Sequence, residues 1–279
     1  MRLLNLALRT TLALCLTFSI ALAAIPTTKR FDLAKPSYDL FRGKNTHENR
    51  VQQSFAFDNI NRRLFVAQLQ DGKSDTSGDL CITQLDFSGK YIGYMHLNGF
   101  GHGVSFGAQG VGADTYLWTE VEANGNGQHT AFIDQISNRL IVRYNKDGKH
   151  IAAFDLNAAT KGDFSKPLVN FKQPGLDKFK SKVFQGYAVY GSYFYILTGT
   201  SYDASGGVVN SQVASIDMNT GKIVQGPTMT KAGVSLPFRE PEGMAVYKTK
   251  AGEVRLFLGF ATGKSGDRRS SLFYKNALI

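Results

Sequence analysis

The chain has 279 residues, 43% of them hydrophobic and 12% aromatic, with 32 Lys and Arg against 22 Asp and Glu for a formal net charge of +10. That apolar content excludes a disordered chain, and only two cysteines exclude a disulfide-built scaffold. The basic excess suggests anionic surroundings, but no nucleic-acid module or sharp basic stripe accompanies it, so nucleic acid is not an expected partner.

The first element in chain order is a leader. Arg2 and Arg9 flank a leucine-rich start, an apolar run follows over residues 10–22, and Ala21-Leu22-Ala23 supplies an A-x-A cleavage signal. The run after Arg9 is shorter than the ~20 residues a membrane span needs, so residues 1–23 read as a secretory signal peptide. The expected product is secreted, extracellular and not membrane-spanning. Removing Arg2, Arg9 and Cys15 leaves a net charge of +8 and Cys81 alone, so no internal disulfide is available. Lys29-Arg30 has the form of a dibasic processing site, or of an ordinary charged linker. Residues 24–42 are therefore an N-terminal segment that is either processed or used to close the fold, and residues 43–279 are one domain.

Within that domain a five-residue block recurs four times: Gln53-Ser54-Phe55-Ala56-Phe57, His102-Gly103-Val104-Ser105-Phe106, Gln185-Gly186-Tyr187-Ala188-Val189 and Glu242-Gly243-Met244-Ala245-Val246. Each opens on a polar residue and then alternates small and apolar side chains, the period of a strand. A second apolar run follows each block: Leu64-Phe65-Val66-Ala67, Tyr116-Leu117-Trp118-Thr119, Tyr193-Phe194-Tyr195-Ile196-Leu197 and Leu256-Phe257-Leu258. Hairpins are then expected at Ser88-Gly89-Lys90, Asp147-Gly148-Lys149 and Thr220-Gly221-Lys222, where glycine supports the tight turn. Four strands per unit in meander order predict an all-β fold, a β-propeller with four-stranded antiparallel blades. A β-sandwich does not predict the same block at the same place in every unit.

The block spacing is uneven, at 49, 83 and 57 residues, so residues 157–184 are either a loop or part of another blade. The last unit ends on Leu272-Phe273-Tyr274, whose strand edge needs cover. Asp39-Leu40-Phe41 or Phe31-Asp32-Leu33 is the natural candidate, closing the ring.

Residues at equivalent ring positions should converge, which brings Gln53, His102, Gln185 and Glu242 to one channel mouth as candidate ligand-binding groups. Amide, imidazole and carboxylate all hydrogen-bond sugar hydroxyls. The same groups could instead satisfy strand ends. His102 and Glu120 are candidates for catalytic base and acid on a glycosidic bond. Glu122, Arg239 and Glu240 could add carboxylates or a clamp for an anionic group, or form surface ion pairs.

Other patterns carry less. Lys172, Lys178, Lys180 and Lys182, interleaved with Phe171, Phe179 and Phe184, read as a solvated loop over apolar surface. Gly103-Val104-Ser105-Phe106-Gly107 fits G-x-S-x-G, but residues 108–114 read as a glycine-rich turn rather than the helix a nucleophile elbow needs. Gly263-Lys264-Ser265 lacks the spacing and helix of a phosphate loop. Asp71, Asp75 and Asp79 could hold calcium in a polar loop of non-standard spacing, and no other cofactor is expected. His47, His96, His129 and His150 show no paired ligand spacing, so no other metal is expected. Trp118 reads as core.

From Gln53 through Arg63-Leu64-Phe65-Val66-Ala67-Gln68, Gly78-Asp79-Leu80-Cys81-Ile82-Thr83-Gln84-Leu85-Asp86 and Gly99-Phe100-Gly101-His102-Gly103-Val104-Ser105, and on to Tyr116-Leu117-Trp118-Thr119-Glu120, the chain resembles a known group. This is the family of secreted β-propellers related to teichoic acid biosynthesis protein C and to the receptor-binding proteins of some phages. The resemblance implies a five-bladed ring and, as in the phage members, binding of a cell-surface glycopolymer such as wall teichoic acid. Only four units are visible in the sequence, which departs from that count. The leading expectation is thus a secreted propeller binding a cell-surface or extracellular glycopolymer of anionic, teichoic-acid-like character. A secreted polysaccharide hydrolase or lyase using the same mouth is the alternative, and an interaction protein without a small ligand is the third.

Overall fold

The computed structural model describes residues 25–120 and 130–279, so the leader, Glu122 and His129 lie outside the described residues. Strand β1 (Tyr38–Lys44) is followed by a four-stranded meander, β2 (Gln52–Asp58), β3 (Arg63–Leu69), β4 (Leu80–Leu85) and β5 (Tyr91–Leu97). A two-stranded sheet comes next, β6 (Gly107–Val111) with β7 (Asp114–Trp118). The third sheet contains β8 (Thr130–Asp134), β9 (Arg139–Asn145), β10 (Lys149–Asp155) and, after the short helix α1 (Leu156–Ala159), β11 (Val169–Lys172). The fourth contains β12 (Phe184–Tyr190), β13 (Tyr193–Thr198), β14 (Gln212–Asp217) and β15 (Lys222–Met229), with α2 (Tyr202–Ser205) inserted. The last meander is β16 (Glu240–Lys248), β17 (Val254–Thr262) and β18 (Arg269–Lys275), and β1 pairs antiparallel with β18. All pairings among the described residues are antiparallel, and the molecule is a β-propeller in which the described residues form four four-stranded blades and one two-stranded sheet.

The strand that opens each meander, β2, β6, β8, β12 or β16, lies innermost, and β1 lies at the outer edge of the last sheet. All seven residues of β2 are buried, because both faces of an inner strand meet neighbouring sheets. Inner strands touch in succession, β2 with β6, β6 with β8, β8 with β12, β12 with β16 and β16 with β2. The second residue of each block makes much of this contact. A Cβ on Gly186 would stand 2.8 Å from Gly243 Cα, and one on Gly243 would stand 2.8 Å from Ser54 Cα. The Ser54 hydroxyl in turn donates to the Gly103 carbonyl. Small residues recur at this place because only they let adjacent inner strands come so close.

Apolar clusters fill the wedges between sheets. Phe55, Phe57, Leu64 and Val66 pack with Tyr247, Phe257, Leu272 and Phe41, joining the first sheet to the last. Ala56, Phe65, Ala67 and Ile82 pack on Phe106 and Ala108. The largest cluster binds the third, fourth and last sheets through Phe132, Ile141, Tyr187, Phe194, Ile196, Leu256 and Phe260. Trp118 is partly buried against Ile133, Leu140 and Leu156, and its indole N–H donates to Gln109.

Several sequence expectations change. His102 to Phe106 is not a strand, and the inner strand starts only at Gly107. Residues 108–114 are not a turn but most of the β6–β7 hairpin, so no helix follows Ser105 and G-x-S-x-G remains accidental. The expected second unit is in fact two sheets. Its hairpin at Asp147-Gly148-Lys149 belongs with β8, whose polar start and small Ala131 resemble a block too faintly to stand out. Residues 157–184 contribute β11, the outer strand of that same sheet. At the start, Phe31 is fully buried and bridges Leu278, and the Arg30 and Ile279 backbones exchange two hydrogen bonds of 2.9 Å. Arg30 is therefore tied to the C-terminal residues through its backbone, while residues 26–29 are exposed. No helix among the described residues is long and apolar enough to cross a membrane.

Candidate functional site

Three of the block-opening residues sit where the strand ladder slips. Between β2 and β3 the register passes from Gln52↔Gln68 to Ser54↔Ala67, leaving Gln53 unpaired. Between β12 and β13 it passes from Phe184↔Thr198 to Gly186↔Leu197, leaving out Gln185. Between β16 and β17 it passes from Pro241↔Phe260 to Met244↔Leu258, leaving out Glu242 and Gly243. A bulge turns a side chain out of the alternation and ends local pairing, so these polar residues escape the core and face the axis end of the sheets. His102 arrives differently, from the loop that leads into β6.

All four line one cavity of about 690 Å³. Its wall also includes Asn49 and Arg50, Asp71 and Asp75, Glu240 and Arg268, with Val104, Val183 and Phe184 as apolar surface. Gln52 braces the floor by donating to the Glu242 carbonyl at 3.0 Å. Gln185 donates to the Gly199 carbonyl at 3.0 Å, which leaves its amide oxygen as an acceptor, and Gln53 is buried beside it in the wall. Arg50 donates to the Lys73 carbonyl at 2.9 Å and pairs with Asp75, while Arg268 lies over the Phe238 ring.

Glu242 is the most constrained group. It is 5% exposed, and its carboxyl has no hydrogen bond or ion pair among the described residues. Burial pushes its pKa well above the ordinary carboxylate value, and the neighbouring Glu240 carboxylate pushes the same way. Glu240 is also raised, by burial first, against the opposing pull of Arg268. Burial therefore favours the protonated form of the Glu242 carboxyl, a form that can both donate and accept hydrogen bonds.

Other predicted site residues do not join this wall. Arg239 is 1% exposed and points into the protein, donating to the Ala232 and Thr230 carbonyls at 3.0 Å each and to the Ser211 hydroxyl at 2.9 Å. Its guanidinium also sits 4.5 Å from the centre of the Phe260 ring. It is a structural tie, not a clamp. Glu120 packs its carboxyl against Gly101, next to His102 in sequence but outside the cavity lining. Asp71 and Asp75 reach the cavity rim, but Asp75 is held by Arg50, Asp71 accepts from the Asn49 amide, and Asp79 accepts from the Gly99 N–H. These three are engaged separately and form no calcium cage.

Even without Glu242, whose burial favours the neutral form, three carboxyls against two guanidiniums leave this wall acidic by formal charge, despite the chain's basic total. Sequence reasoning missed that inversion, along with Glu240 as a neighbour that raises Glu242. The model of the phage five-bladed β-propeller receptor-binding platform domain matches residues 51–129 and 125–274. The chain belongs to that family. Members share the propeller described above, and two relatives illustrate the spread. "Putative major teichoic acid biosynthesis protein C" of Bacillus subtilis (strain 168) is 22% identical over 87% of this chain. The tail fiber of Staphylococcus aureus phage P68 superposes with a TM-score of 0.68 at 20% identity over 86% of this chain, a likeness of fold. The chain spans 63% of the first relative's length and 52% of the second's.

Proposed function

We propose that this receptor-binding propeller holds a hydroxyl-rich segment of an extracellular or cell-surface glycopolymer in the 690 Å³ cavity. The observation that carries the reading is the convergence of Gln53, Gln185 and Glu242, each released from its ladder by a bulge, with His102 on one wall. Amides, an imidazole and a buried carboxyl offer donors and acceptors, while Val104, Val183 and Phe184 offer surface to the C–H faces of a sugar. Membership of a receptor-binding family and the name of the Bacillus relative both favour a wall-polymer ligand.

The net charge favours an anionic polymer such as a teichoic acid, but the acidic wall disfavours anionic groups inside the cavity. Phosphate or uronate groups of such a polymer are assigned to the basic exterior, and its hydroxyl-rich portion to the cavity. We count the β6–β7 sheet as a reduced fifth blade, since its inner strand occupies a place in the circuit of contacts. Export by residues 1–23 accords with an extracellular ligand.

The test is retention on an array of cell-wall and capsular glycans, with His102→Ala and Gln53→Ala alongside. Each loss of a hydrogen bond to sugar is expected to weaken binding roughly 2–10-fold, from about 0.5–1.5 kcal/mol per bond. Absence of any retained glycan, or wild-type binding by both variants, refutes the reading.

Glycan cleavage is the second reading, favoured by one observation: a buried acid with a raised pKa, Glu242, shares the cavity wall with a second carboxyl, Glu240, and acid-assisted glycoside hydrolysis uses such a pair. Product analysis on any bound glycan decides it. Shortened products that vanish in Glu242→Gln support cleavage, and an intact glycan supports binding alone.

A further inference from the structure

Away from the cavity, the outer edge of the first blade gathers three groups that the propeller fold does not require. His47, Glu48 and His96 bring one nitrogen or oxygen each to within 4.8 Å of one another. His96 lies on the edge strand β5, and its Nε2 is 2.9 Å from Glu48 Oε1. His47 and Glu48 come from the segment joining β1 to β2, laid across the blade.

That segment is held firmly. The His47 N–H donates to Thr83 Oγ1 on β4 at 3.1 Å, and Gln68 on β3 accepts from the Glu48 N–H and donates to its carbonyl at 2.9 Å. The His47 ring stacks on Tyr94, with centroids 3.3 Å apart and planes 13° from parallel. Glu48 is 6% exposed, and its second oxygen accepts the Asp71 N–H at 2.9 Å. The Glu48 carboxylate is thus oriented by a second hydrogen bond, the His47 ring by stacking on Tyr94, and the His96 ring by its contacts with His47 and Tyr94. The buried carboxylate has no Lys or Arg partner among the described residues, only the half-exposed His96. A buried carboxylate without a fixed cation is costly, and a divalent ion bound between it and two imidazoles removes that cost.

We propose that His47, Glu48 and His96 form a site for a borderline divalent transition metal of the zinc class. Two imidazoles and one carboxylate favour such an ion over calcium or magnesium, which prefer all-oxygen shells. Zinc bonded to nitrogen and oxygen at tetrahedral angles sets neighbouring donors about 3.4 Å apart. The His96–Glu48 pair needs to open by only about half an ångström to reach that spacing from its present 2.9 Å. The exposed side of both histidines leaves a fourth position for water.

The ion would clip the β1–β2 connection to the outermost strand of the blade. The same connection continues into Asn49 and Arg50, and Glu48 holds the Asp71 backbone, so the site also steadies one rim of the cavity. This does not depend on what the cavity binds.

The experiment is calorimetric titration of zinc into the purified protein without a histidine tag, with a thermal melt with and without zinc. His47→Ala, His96→Ala and, as a control, His102→Ala are run in parallel. One zinc per chain is expected, with a raised melting temperature. His47→Ala and His96→Ala should each lose affinity by at least the ~10–100-fold that loss of an outer partner costs, with the metal-free melt of each variant showing that it is folded. Cobalt(II) bound at the site should show visible d–d bands that disappear in the same two variants. Failure of the wild type to bind zinc, undiminished binding in either histidine variant, loss in His102→Ala, or calcium binding as tight as zinc overturns the proposal.

Discussion

Replacing Gly243 by Ala tests the idea that the second position of each block sets how closely the inner strands pack. Gly243 has φ +83°, and a Cβ there would stand 2.8 Å from Ser54 Cα and 3.3 Å from the Phe55 backbone nitrogen, against an ordinary carbon contact of about 3.5–4.0 Å. Neither neighbour is a flexible side-chain end, so a backbone has to move. Gly252 provides the matched control, because its φ is +85° and a Cβ there meets nothing within 4 Å. Both substitutions incur the positive-φ penalty of roughly 1–2 kcal/mol, and both recover a few tenths or more through the stiffer unfolded chain. Only Gly243→Ala adds overpacking, worth about 1–3 kcal/mol. At roughly 2–4 °C per kcal/mol for a domain of this size, Gly243→Ala should melt about 2–12 °C below Gly252→Ala. Differential scanning calorimetry of the two variants side by side reads that gap. Equal melting temperatures refute the claim that inner strands touch through this residue.

Glu242→Gln is expected to stabilise the protein in a pH-dependent way. The folded pKa of Glu242 is raised, so below about pH 4.3 both states are protonated and the group has no effect; as pH rises the unfolded carboxyl ionises first and the native state loses stability. The advantage of the variant should therefore appear above that pH and grow until the folded carboxyl itself ionises, as read from melting curves across pH 4 to ~8. A constant offset over that range counts against a neutral Glu242. Arg239→Ala removes three hydrogen bonds and leaves their acceptors buried, so a loss of about 3 kcal/mol or more is expected in denaturant titration. Binding per folded molecule should not change, and a selective binding defect would restore Arg239 to the site. Arg139→Ala strands the buried Asp134 carboxylate, 2.5 Å from the guanidinium, and should cost about 3–5 kcal/mol by the same measurement.

The sequence announced the sheets where block and meander coincide, as at Gln53, Gln185 and Glu242. It misread the stretch after His102 because a two-stranded sheet offers too few repeats to establish a period, and because β8 begins on Thr130 without a glycine behind it. Convergence of the polar openers followed from ring geometry alone. The bulges beneath them did not, since a slipped ladder leaves only a glycine or serine as its trace. The cavity's acidity was invisible for a different reason: Asp71, Asp75 and Glu240 reach it from connecting segments and a strand end that no periodicity aligns. His47, Glu48 and His96 were likewise separated, because strand pairing rather than spacing brings a loop dipeptide to an edge histidine. Arg239 and Glu240, adjacent in sequence, part ways at a residue with φ +40°, which turns one inward and leaves the other on the wall.

The slipped ladder also divides labour within two neighbouring positions. An omitted residue has no ladder partner opposite it, so its side chain answers to the cavity and to local bonds such as that of Gln185 to the Gly199 carbonyl, whereas the small residue behind it is fixed by its neighbour across the ring. Drift at positions 53, 185 and 242 can thus retune selectivity without unpicking the scaffold, and a combinatorial library restricted to them should yield folded proteins with altered preferences.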